Sequence, residues 1–176
     1  MDLRHFIDKC ESAGELSRIK AEVDWNLELS HISKLTEEKK GPALLFENIK
    51  GYDSPVFTGA FATASRLAMS VNMPGHYSLC ESAREWMHKT IDELIPAKEV
   101  KDGPILENVY SGDKVDLNMF PVPRFFPQDG GRYIGTATFL AIRDPDTGNV
   151  NLGTYRMQML DDQRCGVQIL PGKRGE

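Results

Sequence analysis

Residues 133–156 read YIGTATFLAIRDPDTGNVNLGTYR and carry the signals of a β-hairpin. The first eleven of them, 133–143, are rich in β-branched and aromatic side chains, which favour an extended strand. Pro145 and Gly148 lie in the next segment, which is predicted to be the turn because proline fixes φ and glycine accepts a positive φ. A second strand is expected from residue 150 to about residue 160 and a third from 164 to 170, forming an antiparallel meander.

Polar groups crowd the start of the middle strand, where residues 151–156 read NLGTYR. An asparagine oxygen is a neutral, hard ligand suited to Mg²⁺, Mn²⁺ or K⁺, whereas the planar arginine fork pairs with carboxylate or phosphate. Asn151 and Arg156 could therefore hold a phosphate through a metal and bind a carboxylate. In the alternative reading, Asn151 only ends the turn and Arg156 forms a surface ion pair.

Strand geometry constrains this pair. Successive side chains of a strand point to opposite faces, so Asn151 and Arg156, five positions apart, lie on opposite faces of a regular strand. Both can face one site only if the strand slips by one residue. Gly153 is the obvious place for such a β-bulge, and irregular pairing is predicted around residues 152–154.

Helices and strands alternate in the first hundred residues, which predicts an α/β unit. The expected elements are a helix capped by Asp2 and ending at Gly14, a strand at 16–23, a helix with Leu27, His31, Ile32 and Leu35 on one face, strands at 43–46 and 56–58, and helices at about 62–72 and 79–95. Arg66 and His76 stand near glycine-containing loops. They could contact phosphate, but surface or linker positions are the favoured interpretation.

Residues 96–131 are rich in proline and glycine and read as a connector with short strands near 105–110 and 115–117. We place the domain boundary inside it, with domains at 1–103 and 104–176. Phe125 and Phe126 make the end of the connector too aromatic for a solvated linker, so they are expected to pack onto the following β unit.

Composition excludes several classes of function. The net charge of −5 and the pI near 5.4 argue against a nucleic-acid surface. The apolar runs are too short to span a bilayer and the first residues do not form a signal peptide, so no membrane association and a cytoplasmic location are expected. The three cysteines have no CxxC spacing, which argues against a disulfide framework or a zinc site and favours small buried hydrophobes.

Several segments resemble one family. Three segments are similar, in this order, to the beginning of UbiD-type decarboxylases, which use prenylated FMN. They are DLRHFIDKCESAGELSRI at 2–19, GPALLFENIKGY at 41–52 and YIGTATFLAIRDPDTGNVNLGTYRMQ at 133–158. The resemblance implies an α/β N-terminal domain followed by the start of a flavin-binding split β-barrel, an α+β fold overall with the barrel incomplete in these residues. It also implies non-oxidative decarboxylation of an aromatic or α,β-unsaturated carboxylic acid.

The resemblance assigns roles to single positions. Asn151 would bind the metal, Mn²⁺ or Mg²⁺ and possibly K⁺, that holds the cofactor phosphate, and Arg156 would orient the substrate carboxylate. The remaining positions implied to lie at the cofactor are Thr136, Thr154, Tyr155, Gln168, Ile169, Leu170, Lys173 and Arg174. Some relatives have a metal-binding histidine near the last two. Here either a cation contacts the phosphate directly, the metal finds its other ligands elsewhere, or the segment is a basic loop in solvent.

Family members are much longer than 176 residues, and their further metal-binding glutamate and proton-donating acid lie downstream of the matched region. The sequence is therefore interpreted as a fragment or one piece of a split enzyme, inactive alone. The expected partners of the parent enzyme are a small carboxylic acid, a flavin prenyltransferase that supplies the cofactor, and further copies of itself. Two alternatives are a non-catalytic cofactor-binding or assembly module, and an ordinary FMN-binding split barrel in which Arg156 has no role.

Overall fold

Two three-stranded sheets organise the part of the chain that the computed structural model describes, residues 2–93, 95, 96, 98 and 100–172. The chain divides into two compact units. The first comprises Met1–Ala21, Ser33–Glu47 and Pro55–Ser111, and the second comprises Glu22–Ile32, Asn48–Ser54 and Gly112–Glu176. The domain boundary predicted at residues 103 and 104 stays a prediction.

The first unit combines helices with a mixed sheet. Its elements are α1 (Leu3–Ser12), β1 (Leu16–Ile19), β2 (Ala43–Phe46), β3 (Val56–Thr58), α3 (Ala64–Ser70) and α4 (Leu79–Ile91), while α2 (Glu28–Glu38) has residues in both units. The sheet order is β1-β2-β3, with β1 and β2 parallel and β2 and β3 antiparallel. The predicted α/β character of the first hundred residues is thus confirmed.

Local signals in the sequence account for these elements. Asp2 caps α1 by accepting a hydrogen bond of 2.9 Å from the backbone of His5. The apolar stripe of α1 buries Phe6 and Cys10 against Met69 of α3. All four residues of β2 are buried, as expected for a central strand with a continuous apolar run.

Arg66 corrects an expectation. It is not a surface residue but lies fully buried on α3, where its guanidinium donates to a Glu15 carboxylate oxygen at 2.7 Å. It also donates to the carbonyl oxygens of Gly59, at 2.8 Å, and Gly41, at 3.0 Å. Because each guanidinium nitrogen of Arg66 already donates to an acceptor within the protein, Arg66 is a structural clamp in the first unit and not a phosphate ligand.

The second unit contains the predicted meander. Its strands are β4 (Tyr133–Arg143), β5 (Val150–Met159) and β6 (Cys165–Val167), in the order β4-β5-β6 with antiparallel pairing. Gly148 in the turn has φ of 72°, and Asp144 accepts hydrogen bonds from two turn amides, Asp146 and Thr147. These bonds and the positive φ close the hairpin as the sequence predicts.

The irregular pairing lies on the other strand. β5 pairs in regular register from Val150 to Tyr155, so the bulge predicted at Gly153 is wrong. Instead, the register shifts on β4, between Tyr133 and Gly135 and again between Gly135 and Thr138. Each shift places one extra β4 residue against β5, and both lie opposite the segment that carries Arg156.

The connector contains no strand within its described residues, so the short strands predicted near 105–110 and 115–117 are wrong. Three short 3₁₀ turns replace them, at Pro104–Leu106, Gly112–Lys114 and Leu117–Met119. Phe125 is half-buried and lines one cavity with Tyr133 and Ile134, whereas Phe126 is exposed, contrary to the packing expected of it.

The described residues form no closed barrel, and the split-barrel assignment stays a prediction. In the same part of the chain, none of the helices combines the length and the apolar character that crossing a bilayer requires.

Cys10 is buried as predicted, but Cys80 is exposed and Cys165 only half-buried.

Candidate functional site

A cavity of about 500 Å³ lies along β5 in the second unit. It is lined by eight residues: Asn151, Leu152, Gly153, Thr154, Tyr155, Arg156, Gln168 and Leu170. Six of these are residues that the resemblance noted in the sequence assigns to a cofactor site. The volume falls within the range of small-molecule sites, roughly 300–1,000 Å³.

The cavity follows an edge of the sheet and not a face. Six consecutive residues of a strand can line one cavity only where both faces are reached, because their side chains alternate. β6 pairs only with Met157–Met159, so residues 150–156 of β5 have no strand partner on that side within the described chain. Asn151 and Arg156 can therefore reach one cavity from opposite faces without a bulge between them.

Gly153 makes room for an aromatic ring. A Cβ at this position would collide with ring atoms of Tyr155, two residues further along the same face. The ring of Tyr155 thus lies back over the strand at Gly153. The glycine that sequence analysis assigned to a bulge has a different function here, since it lets the phenol lie along the cavity.

Arg156 is held by a carboxylate that sequence analysis did not identify. Its two terminal nitrogens donate to the two carboxylate oxygens of Asp129, at 2.9 and 2.7 Å, and its guanidinium carbon lies 3.5 Å from the centre of the Tyr133 ring. The hydrogen bonds with Arg156 hold the pKa of Asp129 below its usual range, and the same bonds raise the pKa of Arg156. The ion pair of the alternative reading is therefore present, but it borders the cavity.

A second cavity of about 380 Å³ adjoins Arg156 in the same unit. It shares Arg156 and Gln168 with the first cavity and adds Tyr133, Gln158, Leu160, Gly166 and Val167. The Tyr133 hydroxyl donates to the side-chain oxygen of Gln158 at 3.1 Å. Arg156 thus lies between two spaces with polar walls, a position from which one guanidinium can contact groups in both.

Not every predicted residue joins this group. Thr136 is exposed and lines a separate cavity of about 490 Å³ with Phe125 and other connector residues. Ile169 is half-buried between Gln168 and Leu170 but is not among the residues lining the first cavity. Lys173 and Arg174 lie outside the described residues.

The sequence analysis missed three site residues: Asp129, Gln158 and Leu152. The sequence around Asp129, QDGGRY, offered one signal, a carboxylate followed by two glycines directly before β4. The strand alternation offered another, because Gln158 lies two residues beyond Arg156 and therefore on its face.

The donor set of the first cavity suits a flavin phosphate better than it suits a metal. Amides, a hydroxyl, a phenol and a guanidinium can all bond a phosphate or the polar edge of a flavin ring. A divalent metal needs several oxygen or nitrogen ligands, and the described residues contain no cluster of three histidine, cysteine, aspartate or glutamate side chains. The chemistry of these residues is compatible with the phosphate and the ring edge of a flavin, and within the described residues no such cluster accompanies Asn151.

The sequence matches two family profiles that together span most of the chain. Residues 7–86 match the 3-octaprenyl-4-hydroxybenzoate carboxy-lyase N-terminal domain, and residues 98–176 match the Rift-related domain of the same carboxy-lyases. The chain belongs to this UbiD family, which confirms the resemblance found in the sequence.

Individual relatives agree with the family match. The pyrrole-2-carboxylic acid decarboxylase of Pseudomonas aeruginosa is 33% identical over 180 residues, which cover 97% of this chain and 36% of that protein. The UbiD-class enzyme HmfF of Pelotomaculum thermopropionicum, solved with FMN, superposes with a TM-score of 0.82 at 31% identity, covering 96% of this chain and 37% of that one. Vanillic acid decarboxylase of Sedimentibacter hydroxybenzoicus in its closed form gives 0.89 at 30% identity, with coverage of 96% and 37%. The chain thus spans just over a third of these relatives' length.

Proposed function

We propose that the protein containing these residues is a non-oxidative decarboxylase of an aromatic or α,β-unsaturated carboxylic acid, and that the cavity along β5 holds part of prenylated FMN. The observation that carries the proposal is the gathering of Asn151, Thr154, Tyr155, Arg156, Gln168 and Leu170 around one cavity. Support comes from relatives whose names describe carboxylic acid decarboxylases and from a relative solved with FMN.

Each residue has a distinct part in this proposal. Arg156 binds the substrate carboxylate through its guanidinium, and Asn151 contributes one ligand to a metal, Mn²⁺ or Mg²⁺, at the cofactor phosphate, with the other ligands supplied from outside the described residues. Thr154 and Tyr155 line the flavin. When bound, prenylated FMN supplies the electron sink for the negative charge that loss of CO₂ leaves behind.

The proton that completes the reaction must come from another acid. Asp129 is the carboxylate bonded to Arg156, but its lowered pKa keeps it ionised at neutral pH and therefore unsuited to donate. We assign the proton donor to residues beyond those described. The same proposal includes a cytoplasmic location, homo-oligomeric assembly and supply of the cofactor by a flavin prenyltransferase. It also includes the division into an N-terminal domain and a split barrel.

A second candidate function rests on exposed apolar side chains. Strand alternation places three apolar side chains on one face of the hairpin: Val150 and Leu152 on β5 and Phe139 on β4. They are 57%, 65% and 76% exposed, respectively. Such a face needs a cover, which further chain or a partner subunit can provide. This favours a non-catalytic cofactor-binding or assembly module of a multi-subunit decarboxylase as the alternative.

The decisive experiment uses the whole protein that contains these residues and compares it with its Arg156→Ala variant. Both are produced with a flavin prenyltransferase, and CO₂ release is measured on a panel of aromatic and α,β-unsaturated acids. We expect the variant to keep bound flavin and to lose at least about a hundredfold in turnover, because the carboxylate is no longer oriented. Arg164→Ala is the matched control, since Arg164 is an exposed arginine of the same meander paired with Asp161.

The outcomes separate the two functions. Turnover that survives the Arg156→Ala change removes Arg156 from the mechanism. Flavin binding that requires a copurified second subunit, with no turnover by either protein alone, favours the assembly module.

A further inference from the structure

The Asp129 carboxylate fixes the Arg156 guanidinium in both position and plane. Two parallel hydrogen bonds, Nη1 to Oδ1 at 2.9 Å and Nη2 to Oδ2 at 2.7 Å, define one edge of the fork. The Tyr133 ring, 3.5 Å from the guanidinium carbon, defines its face. A bidentate pair and a stacked ring together leave the arginine little rotational freedom.

Asp129 is itself fixed by its surroundings. Its side chain is only 9% exposed, its Oδ2 accepts a bond of 3.3 Å from the Phe126 amide, and its backbone oxygen accepts one of 3.1 Å from Arg124. The glycine after next, Gly131, lies so close to Gln158 that a Cβ would come within 3.1 Å of the amide nitrogen. The loop before β4 is thereby anchored on β5, beside Arg156.

We propose that Asp129 is the positioning residue for Arg156, holding the guanidinium so that its free Nε edge is presented to a ligand carboxylate. This inference rests on the proposed function of Arg156. An arginine has five N–H donors, and Asp129 takes one from each terminal nitrogen. Nε has no acceptor among the described residues, so this edge remains for a second anion.

A competing role would give the opposite result. Asp129 places a negative charge beside the arginine, and a carboxylate in the ligand position is repelled by it. If Asp129 were mainly a competitor that the ligand must displace, removing its charge would tighten carboxylate binding. If it is a positioning residue, removing its charge weakens binding because the guanidinium is no longer held.

The first test measures whether Arg156 is held in position, and it does not depend on enzyme activity. In ¹H–¹⁵N spectra of the 176-residue chain, the Arg156 Nε–H signal is assigned by its loss in Arg156→Lys, and the Tyr133 ring should shift it away from values of exposed arginines. We expect Asp129→Asn to abolish this shift and Asp161→Asn to preserve it. Asp161 is the matched control because it also pairs with an arginine of the meander, Arg164, at 2.6 Å. A shift that survives Asp129→Asn overturns the proposal.

The second test measures how the loss of the Asp129 charge changes the affinity for a carboxylate ligand. Binding of benzoate, with uncharged benzamide as the comparison, is measured on the flavin-loaded native protein by flavin absorbance. We expect Asp129→Asn to weaken benzoate binding about tenfold and to leave benzamide unaffected. In the Arg156→Ala background the same change should have no further effect, because Asp129 acts through Arg156. Tighter or unchanged benzoate binding, or an equal loss in both backgrounds, contradicts the positioning role.

Failure of the proposed function has a different signature. In that case Arg156→Ala itself leaves benzoate binding and turnover unchanged. The spectral test still decides whether Asp129 positions Arg156.

Discussion

Arg66, which has no exposed side-chain surface, is bound to Glu15 at 2.7 Å within the first unit. Glu15 directly precedes β1 and Arg66 lies on α3, so the pair ties a helix to the sheet. Because the other two acceptors of Arg66 are backbone carbonyls of Gly41 and Gly59, one side chain satisfies groups from three loops.

The first prediction concerns this clamp. Arg66→Ala should lower the free energy of unfolding by about 3–5 kcal/mol, because it removes the buried donor to the Glu15 carboxylate and to the Gly41 carbonyl oxygen, and the shorter of the two hydrogen bonds to the Gly59 carbonyl oxygen. Urea denaturation of the 176-residue chain measures the change. Arg18→Ala is the control, since Arg18 pairs with Glu11 and Glu47 at the surface and should cost far less. Equal losses in the two variants would show that the burial of Arg66 is energetically unimportant.

The second prediction tests Asn151. Asn151→Ala should reduce metal content and flavin retention together, each by at least about tenfold, if its amide oxygen ligates the metal that holds the phosphate. Metal analysis and flavin absorbance of the natively expressed protein give both values. Asn149→Ala is the control, because Asn149 lies in the turn of the same hairpin and outside the cavity. Loss of flavin with unchanged metal content would assign Asn151 to the flavin alone.

Local patterns allowed the helices and the paired strands of both units to be predicted, but not the 3₁₀ turns of the connector. β2 has its predicted bounds because an apolar run is closed by Gly41 and Pro42 on one side. The β4–β5 hairpin follows from strand residues around the turn at Gly148. Six cavity residues were identified because they are nearly contiguous in sequence or belong to motifs of the family.

Features that depend on tertiary packing could not be predicted. Asp129 is 27 residues from Arg156, and the ion pair depends on how the loop before β4 folds onto β5. Thr136 lies on β4, whereas the first cavity runs along the edge of β5 that does not pair with β4, so its place depends on strand pairing that no local propensity signals. Arg66 is buried only because three loops supply its acceptors, and a pattern of residues along one helix does not contain that information.

The third prediction concerns Gly153. Gly153→Ala adds a methyl group where the Tyr155 ring lies, so the ring must move and the strand should lose about 1–3 kcal/mol of stability. FMN binding, followed by fluorescence quenching, should weaken as the ring enters the cavity. The loss should disappear in a Tyr155→Ala background. Gly166→Ala on β6 is the control, because a Cβ there meets Leu160 only at an ordinary 3.6 Å. A loss that persists without the Tyr155 ring would mean that backbone conformation, and not the ring, requires the glycine.

The fourth prediction follows the pH dependence of the Asp129–Arg156 pair. The folded-state pKa of Asp129 is lowered by hydrogen bonds from Arg156, so the carboxylate binds its proton more weakly when folded than when unfolded. The pair therefore contributes stability in full above the unfolded pKa of about 4, and this stability is lost as the pH falls through the lower folded value. The difference in unfolding free energy between the wild-type chain and Asp129→Asn should be constant from pH 7 to about pH 5 and should shrink below about pH 4. Urea denaturation across this range measures it, and a difference that stays constant down to about pH 2 would show that the charge of Asp129 does not stabilise the fold.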